Sequence, residues 1–138
     1  MKLAIGNNVD HAPEYEKIKI DELKDKAENS ECLAIWAPNL LDEIHYSELD
    51  DVLNCIISKM SHGCTLHIGG TDICEFSKRL LSTDFNIVKA NDIIFGVSGE
   101  KQGAYSLNLI SSLLSTKGLK IISKKLVYCN FVIEAIRE

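Results

Sequence analysis

The 138-residue sequence predicts an α/β fold in one domain spanning residues 1–138, with a mostly parallel sheet that ends in an antiparallel pair of strands. Three observations predict it. The short apolar runs KLAIG, EKIKID, CLAIWA, DEIHYS and CTLHIGG rarely alternate with polar residues, as strands of a sheet covered on both faces would not. SELDDVLNCIISKMSHG carries Leu49, Val52, Leu53, Ile56, Ile57 and Met60 at helical spacing, so a strand, a crossover helix and a strand follow one another as in a right-handed βαβ unit. The closing LKIISKKLVYCNFVIEAIRE reads as two β-rich segments able to pair as a hairpin.

Each element has a local reason. KLAIG and EKIKID are strands one and two, and CLAIWA, DEIHYS and CTLHIGG are three more. Ser47 or Asp50 is placed to cap the helix after DEIHYS, and Gly63 to stop it. DICEFSKRLLS follows CTLHIGGTD as a helix, whereas DFNIVKANDIIFGVSGEKQG has no clear period. In YSLNLISSLLSTKG, Leu107, Ile110, Leu113 and Leu114 share a face and Gly118 ends the helix. CTLHIGG is expected to be a central strand with helices on both faces.

Composition narrows the function. A net charge of −5 without a clustered basic face argues against nucleic-acid binding. No run approaches the roughly 20 apolar residues of a membrane span, and MKLAIGNN lacks the features of a secretory leader, so a cytoplasmic protein is expected. Cys32, Cys55, Cys64, Cys74 and Cys129 are odd in number and lack CxxC spacing. They read as free thiols in a reducing compartment, and no metal site is expected.

Taken in order, these pieces resemble the compact class I S-adenosylmethionine-dependent methyltransferases. The resemblance rests on Asp42-Glu43-Ile44-His45-Tyr46-Ser47-Glu48, on Met60-Ser61-His62-Gly63-Cys64-Thr65-Leu66-His67-Ile68, and on Leu113-Leu114-Ser115-Thr116-Lys117-Gly118-Leu119. KLAIGNN and EYEKIKID look like the family's first strand with its glycine turn and its second strand. The resemblance implies a Rossmann-like three-layer sandwich, here reduced in size, with S-adenosylmethionine as cofactor.

Ligands of such sheets lie beyond the carboxyl ends of the strands. The resemblance therefore places cofactor contacts at Gly6, Asn7, Asn8, Asp21, Asn39, Ser47 and Glu48, and catalytic or acceptor contacts at Asp72 and His45. Other readings stand beside these. Gly6-Asn7-Asn8 is either a cofactor loop or a strand-to-turn junction, because asparagine also tolerates left-handed backbone. Asp72 is equally an N-cap for DICEFSKRLL, and His67, inside an apolar strand, reads as a core histidine.

Three departures from the family pattern are visible. Its second glycine is Asn8. The acid expected at the end of strand two falls on Lys19 when aligned without a gap, and Asp21 or Glu22 takes the role only by a slip. The stretch from Trp36 to Asp42 is short.

Two functions follow from the resemblance. One is methyl transfer to a small metabolite or sugar as acceptor; the other is a non-catalytic methyltransferase-like binding or assembly module. Either is compatible with a homo-oligomer. A dinucleotide-binding reading is poorer, since GNN is not GxGxxG.

Overall fold

The computed structural model describes residues 1–7, 9, 13–82 and 84–138. Among these residues six strands form one sheet: β1 (Lys2–Ile5), β2 (Glu16–Ile18), β3 (Cys32–Ala37), β4 (Met60–Thr71), β5 (Lys120–Val127) and β6 (Asn130–Ile136). Their order across the sheet is β2-β1-β3-β4-β6-β5. β2, β1, β3 and β4 are parallel, and β6 runs antiparallel to both β4 and β5. This is the mostly parallel sheet with an antiparallel closing pair that the sequence predicts.

Five helices accompany the strands among the described residues: α1 (Leu23–Lys26), α2 (Leu49–Lys59), α3 (Ile73–Leu81), α4 (Ile87–Phe95) and α5 (Leu107–Thr116). Asp72, Asn86 and Ser106 cap α3, α4 and α5, each side chain accepting a backbone N–H from the first turn. α4 lies in the stretch without a clear period. Ala90 is its one buried residue, while Ile87, Val88 and Phe95 are exposed, so its apolar residues trace no single stripe.

Two assignments made from the sequence are corrected. DEIHYS is not a strand. Asp42 and Glu43 end a 3-10 turn (Leu40–Glu43), and a second 3-10 turn (Tyr46–Glu48), capped by His45, leads directly into α2, which neither Ser47 nor Asp50 caps. The βαβ unit is therefore β3-α2-β4. Nor does Gly63 stop α2: the helix ends at Lys59, and Met60 already pairs with Cys32 at the start of β4. Gly63, at φ +82°, sits where the register with β3 shifts between Cys32 and Ala34.

Crossover direction decides where the helices lie. From β2 to β3, from β3 to β4, and from β4 to β5 the chain moves toward the same edge, so right-handed connections put α1, α2 and α5 on one face. That face is the core. Leu3, Ile35, Leu66, Ile68, Ile133 and Ala135 pack there with Leu53 and Ile56 of α2 and Ile110 and Leu114 of α5, all at most 1% exposed.

Apart from the β5–β6 hairpin, the β1-to-β2 connection alone runs the other way, and it has no helix among its described residues. The opposite face carries the row Lys17, Ala4, Trp36, His67, Glu134 and Ser123, one residue from each strand. Trp36, His67, Glu134 and Ser123 there are half-buried. β4 is thus central, as expected, and among the described residues α2 and α5 cover it on one face, while α3 and α4 form a separate small cluster around Phe76, Ala90 and Cys129.

Leu53→Ala and Leu114→Ala are each expected to cost about 2–5 kcal/mol, because both side chains are 0% exposed against the sheet. Urea denaturation measures this, and a loss below about 0.5 kcal/mol would mean the helix faces solvent. Among the described residues, all five cysteines are free thiols, no His/Cys/Asp/Glu group is arranged to hold a metal ion, and no helix is long and apolar enough to cross a membrane.

Candidate functional site

The strand order reverses at β1, whose neighbours are the next two strands of the chain, one on each side. A reversal of this kind leaves a crevice beyond the carboxyl ends of the two diverging connections. Gly6 stands at its floor. Its N–H continues the ladder to the Ile18 carbonyl (3.1 Å), and its φ of +148° suits a residue without a side chain.

A cleft of about 540 Å³ opens on one side of Gly6, lined by Gly6, Asn7, Val9, Lys17, Ile18, Lys19 and Glu22. Glu22 folds back so that one carboxylate oxygen accepts the Lys19 backbone N–H at 3.0 Å. This brings an acid to the end of β2 although Lys19 holds the position in line with the strand. A second cleft of about 400 Å³ lies between the turn after β2 and the start of α2, lined in part by Ile20, Asp21, Lys24, Glu43, Glu48 and Val52. Between the two clefts, Gly6, Asn39, Leu40 and Glu43 leave a gap of only about 10 Å³.

Glu43, which is not among the residues expected at the site from the sequence, fills that gap. Its Oε2 accepts the Asn7 backbone N–H at 3.0 Å, and a Cβ on Gly6 would lie 3.3 Å from the same oxygen. Burial pushes the Glu43 carboxyl above its usual range; the Asn7 N–H opposes that shift and the neighbouring Asp42 adds to it. The turn that presents Glu43 is firmly seated. Leu40 and Leu41 are fully buried, and Asp42 Oδ1 accepts the Thr71 N–H at 2.7 Å. Lys101 stands over the same corner, its Nζ 3.7 Å from Asp42 Oδ2 and donating to Thr71 Oγ1 at 3.1 Å. The only signal for Glu43 in the sequence was its place in the Asp42-Glu43 pair after a buried strand.

The fold brings together some of the residues expected at the site and separates others. Gly6 and Asn7 line the first cleft, Asn39 lies beside Gly6, and Asp21 and Glu48 share the second cleft. Asn8 lies outside the described residues. His45 and Ser47 sit on the exposed turn before α2, where Ser47 Oγ is 2.8 Å from His45 Nδ1. Asp72, 4% exposed at the end of β4, uses both carboxylate oxygens on backbone N–H groups, those of Glu75 and Leu107, each at 2.8 Å. Trp36 belongs to the row on the second face, its ring centroid 4.9 Å from that of His67.

A comparison with solved structures decides the fold family. A SAM-dependent methyltransferase from Archaeoglobus fulgidus superposes with a TM-score of 0.61 at 11% identity, covering 89% of this chain and 68% of its own. This chain has the fold of the class I methyltransferases. An O-methyltransferase family 2 protein from Planctomyces limnophilus, solved with apigenin, matches with a TM-score of 0.57 at 14% identity over 90% of this chain and 35% of its own. The trans-methyltransferase CalH, solved with SAH, gives 0.57 at 14% over 91% and 36%. The chain spans about two thirds of the first and about a third of the other two, so this methyltransferase fold is present in short form. No protein-family model matches the sequence, and no curated protein does.

Proposed function

We propose that this chain binds S-adenosylmethionine in the crevice at Gly6 and transfers its methyl group to a small-molecule acceptor such as a metabolite or sugar. The observation that carries the reading is the reversal of strand order at β1, with a cleft beyond it bounded by a positive-φ glycine and an acid at the end of β2. In this reading Gly6 and Asn7 receive the amino-acid end of the cofactor, and Glu22, with Asp21 across the turn, takes the ribose hydroxyls. Asn39, Ser47 and Glu48 border the remainder, and Asp72 and His45 belong to the acceptor side. The bound cofactor supplies an activated methyl group, so the protein's work is to hold donor and acceptor in line and exclude water. SAH in one matched methyltransferase supports the cofactor, and apigenin in another supports a small-molecule acceptor.

One observation favours the second reading, a non-catalytic binding or assembly module. The Asn7 N–H that would meet the cofactor is already bonded to Glu43. Thermal unfolding with S-adenosylmethionine or S-adenosylhomocysteine separates the two, since ligand at 100 times its dissociation constant adds about 2.7 kcal/mol to stability. A rise in Tm that Gly6→Val abolishes, with the far-UV circular dichroism kept, is the result expected of the methyltransferase. Valine at a φ of +148° puts a branched side chain where the ligand must approach. If wild type shows no rise at millimolar ligand, and Asn8→Gly with Lys19→Asp gains none, the module reading replaces it. Size in solution is then the next measurement.

A further inference from the structure

We propose that Glu43 is a latch on this crevice: its carboxylate holds the Asn7 backbone N–H that a ligand's own carboxylate would take, and binding of an amino-acid end requires its displacement. The proposal rests on the cofactor reading above and adds to it a regulated entry.

Three features support a latch rather than a fixed strut. Among the described residues the contact is one hydrogen bond, from Asn7 N–H to Glu43 Oε2 at 3.0 Å, made between segments 36 residues apart. The backbone presenting Glu43 is pinned by the buried Leu40 and Leu41 and by the bond from Thr71 N–H to Asp42, so displacement needs only a side-chain rotation. There is also somewhere to go. Glu43 borders the second cleft as well as the gap at Gly6, and Lys24 in that cleft offers a cation to receive it.

The closed position is favoured without a ligand. Asp21, Glu48 and Asp51 line the second cleft with Lys24, and their charges repel a carboxylate swinging toward them. A ligand whose terminal group is anionic meets both a blocked N–H and a like charge at Gly6, and its apparent affinity falls by the fraction of molecules with the latch open.

The test is calorimetric titration of S-adenosylhomocysteine into wild type, Glu43→Ala and Glu43→Gln, with the Asn7 amide followed by ¹⁵N NMR in the unliganded proteins. Glu43→Ala is expected to tighten binding by about tenfold or more, equivalent to about 1.4 kcal/mol. Glu43→Gln should tighten it less, because the amide oxygen still accepts the Asn7 N–H. The Asn7 amide should exchange faster in Glu43→Ala. If wild type binds and Glu43→Ala binds equally or more weakly, the latch is wrong while the cofactor reading stands. If none of the three proteins binds at millimolar ligand, the cofactor reading falls and the latch falls with it. Unchanged protection of the Asn7 amide in Glu43→Ala overturns the latch independently of any ligand.

Discussion

Gly69→Val is expected to yield no folded protein at 25 °C. Gly69 lies in β4, and a Cβ there would stand 2.0 Å from the Phe131 carbonyl oxygen and 2.7 Å from that of Pro38. Both are backbone atoms, one from β6 on one side and one from the chain leaving β3 on the other. Neither can rotate away. Relief would require moving a strand out of the ladder in which Gly69 pairs with Val132, which breaks hydrogen bonds at the centre of the sheet. The control is Gly99→Asn, where a Cβ meets nothing within 4 Å and φ is +74°, a backbone that asparagine tolerates. That variant is expected to stay within about 1 kcal/mol of wild type in urea denaturation. A folded Gly69→Val protein with native circular dichroism would mean that β4 and β6 do not approach as described.

Asp72→Ala is expected to cost about 3–6 kcal/mol, because two hydrogen bonds to a buried carboxylate are lost at once and each is worth about 1.5–3 kcal/mol. Oδ1 caps α3 through the Glu75 N–H, and Oδ2 holds the Leu107 N–H at the start of α5. One side chain thus ties together the starts of two helices, Asp72 and Leu107 being 35 residues apart. Set against a typical domain stability of about 5–15 kcal/mol, the loss is large. Asp72→Asn keeps one carbonyl oxygen and should lose about half as much. Urea midpoints for the three proteins measure the series. A cost near zero for Asp72→Ala would show that the carboxylate is available to a ligand, and the catalytic role expected of it from the sequence would become the stronger reading.

Much of the fold was legible in the sequence because it is written in neighbours a few residues apart. The helical stripes of α2 and α5, the stop at Gly118, the option of Asp72 as a cap and the closing hairpin all depend on local spacing and local backbone preference. The misreadings also have physical causes. DEIHYS has strand-like composition, but the buried Leu40 and Leu41 before it close a 3-10 turn that carries Asp42 to the end of β4. MSHG looked like the end of a helix because Met60 continues the α2 stripe, yet Met60 is already paired with Cys32.

The candidate site was legible only in outline. Gly6 marks the crevice, and the acidic pair after β2 supplies a carboxylate, but which of Asp21 and Glu22 faces Gly6 depends on how the short turn after β2 is wound. Glu22 bends back to the Lys19 N–H and enters the first cleft, while Asp21 faces the second.

By itself, the sequence determined an α/β protein with a mostly parallel sheet and an antiparallel closing pair, because apolar runs, caps and glycine turns act over distances the chain sets locally, and the order of those pieces carried the resemblance to the methyltransferases. Only the tertiary structure decided that α1, α2 and α5 gather on one face, that Trp36, His67 and Glu134 line up on the other, and that Glu43 closes on Asn7. Those outcomes follow from strand order. Three crossovers run toward the same edge and one runs back, and residues from distant segments meet where that order places them.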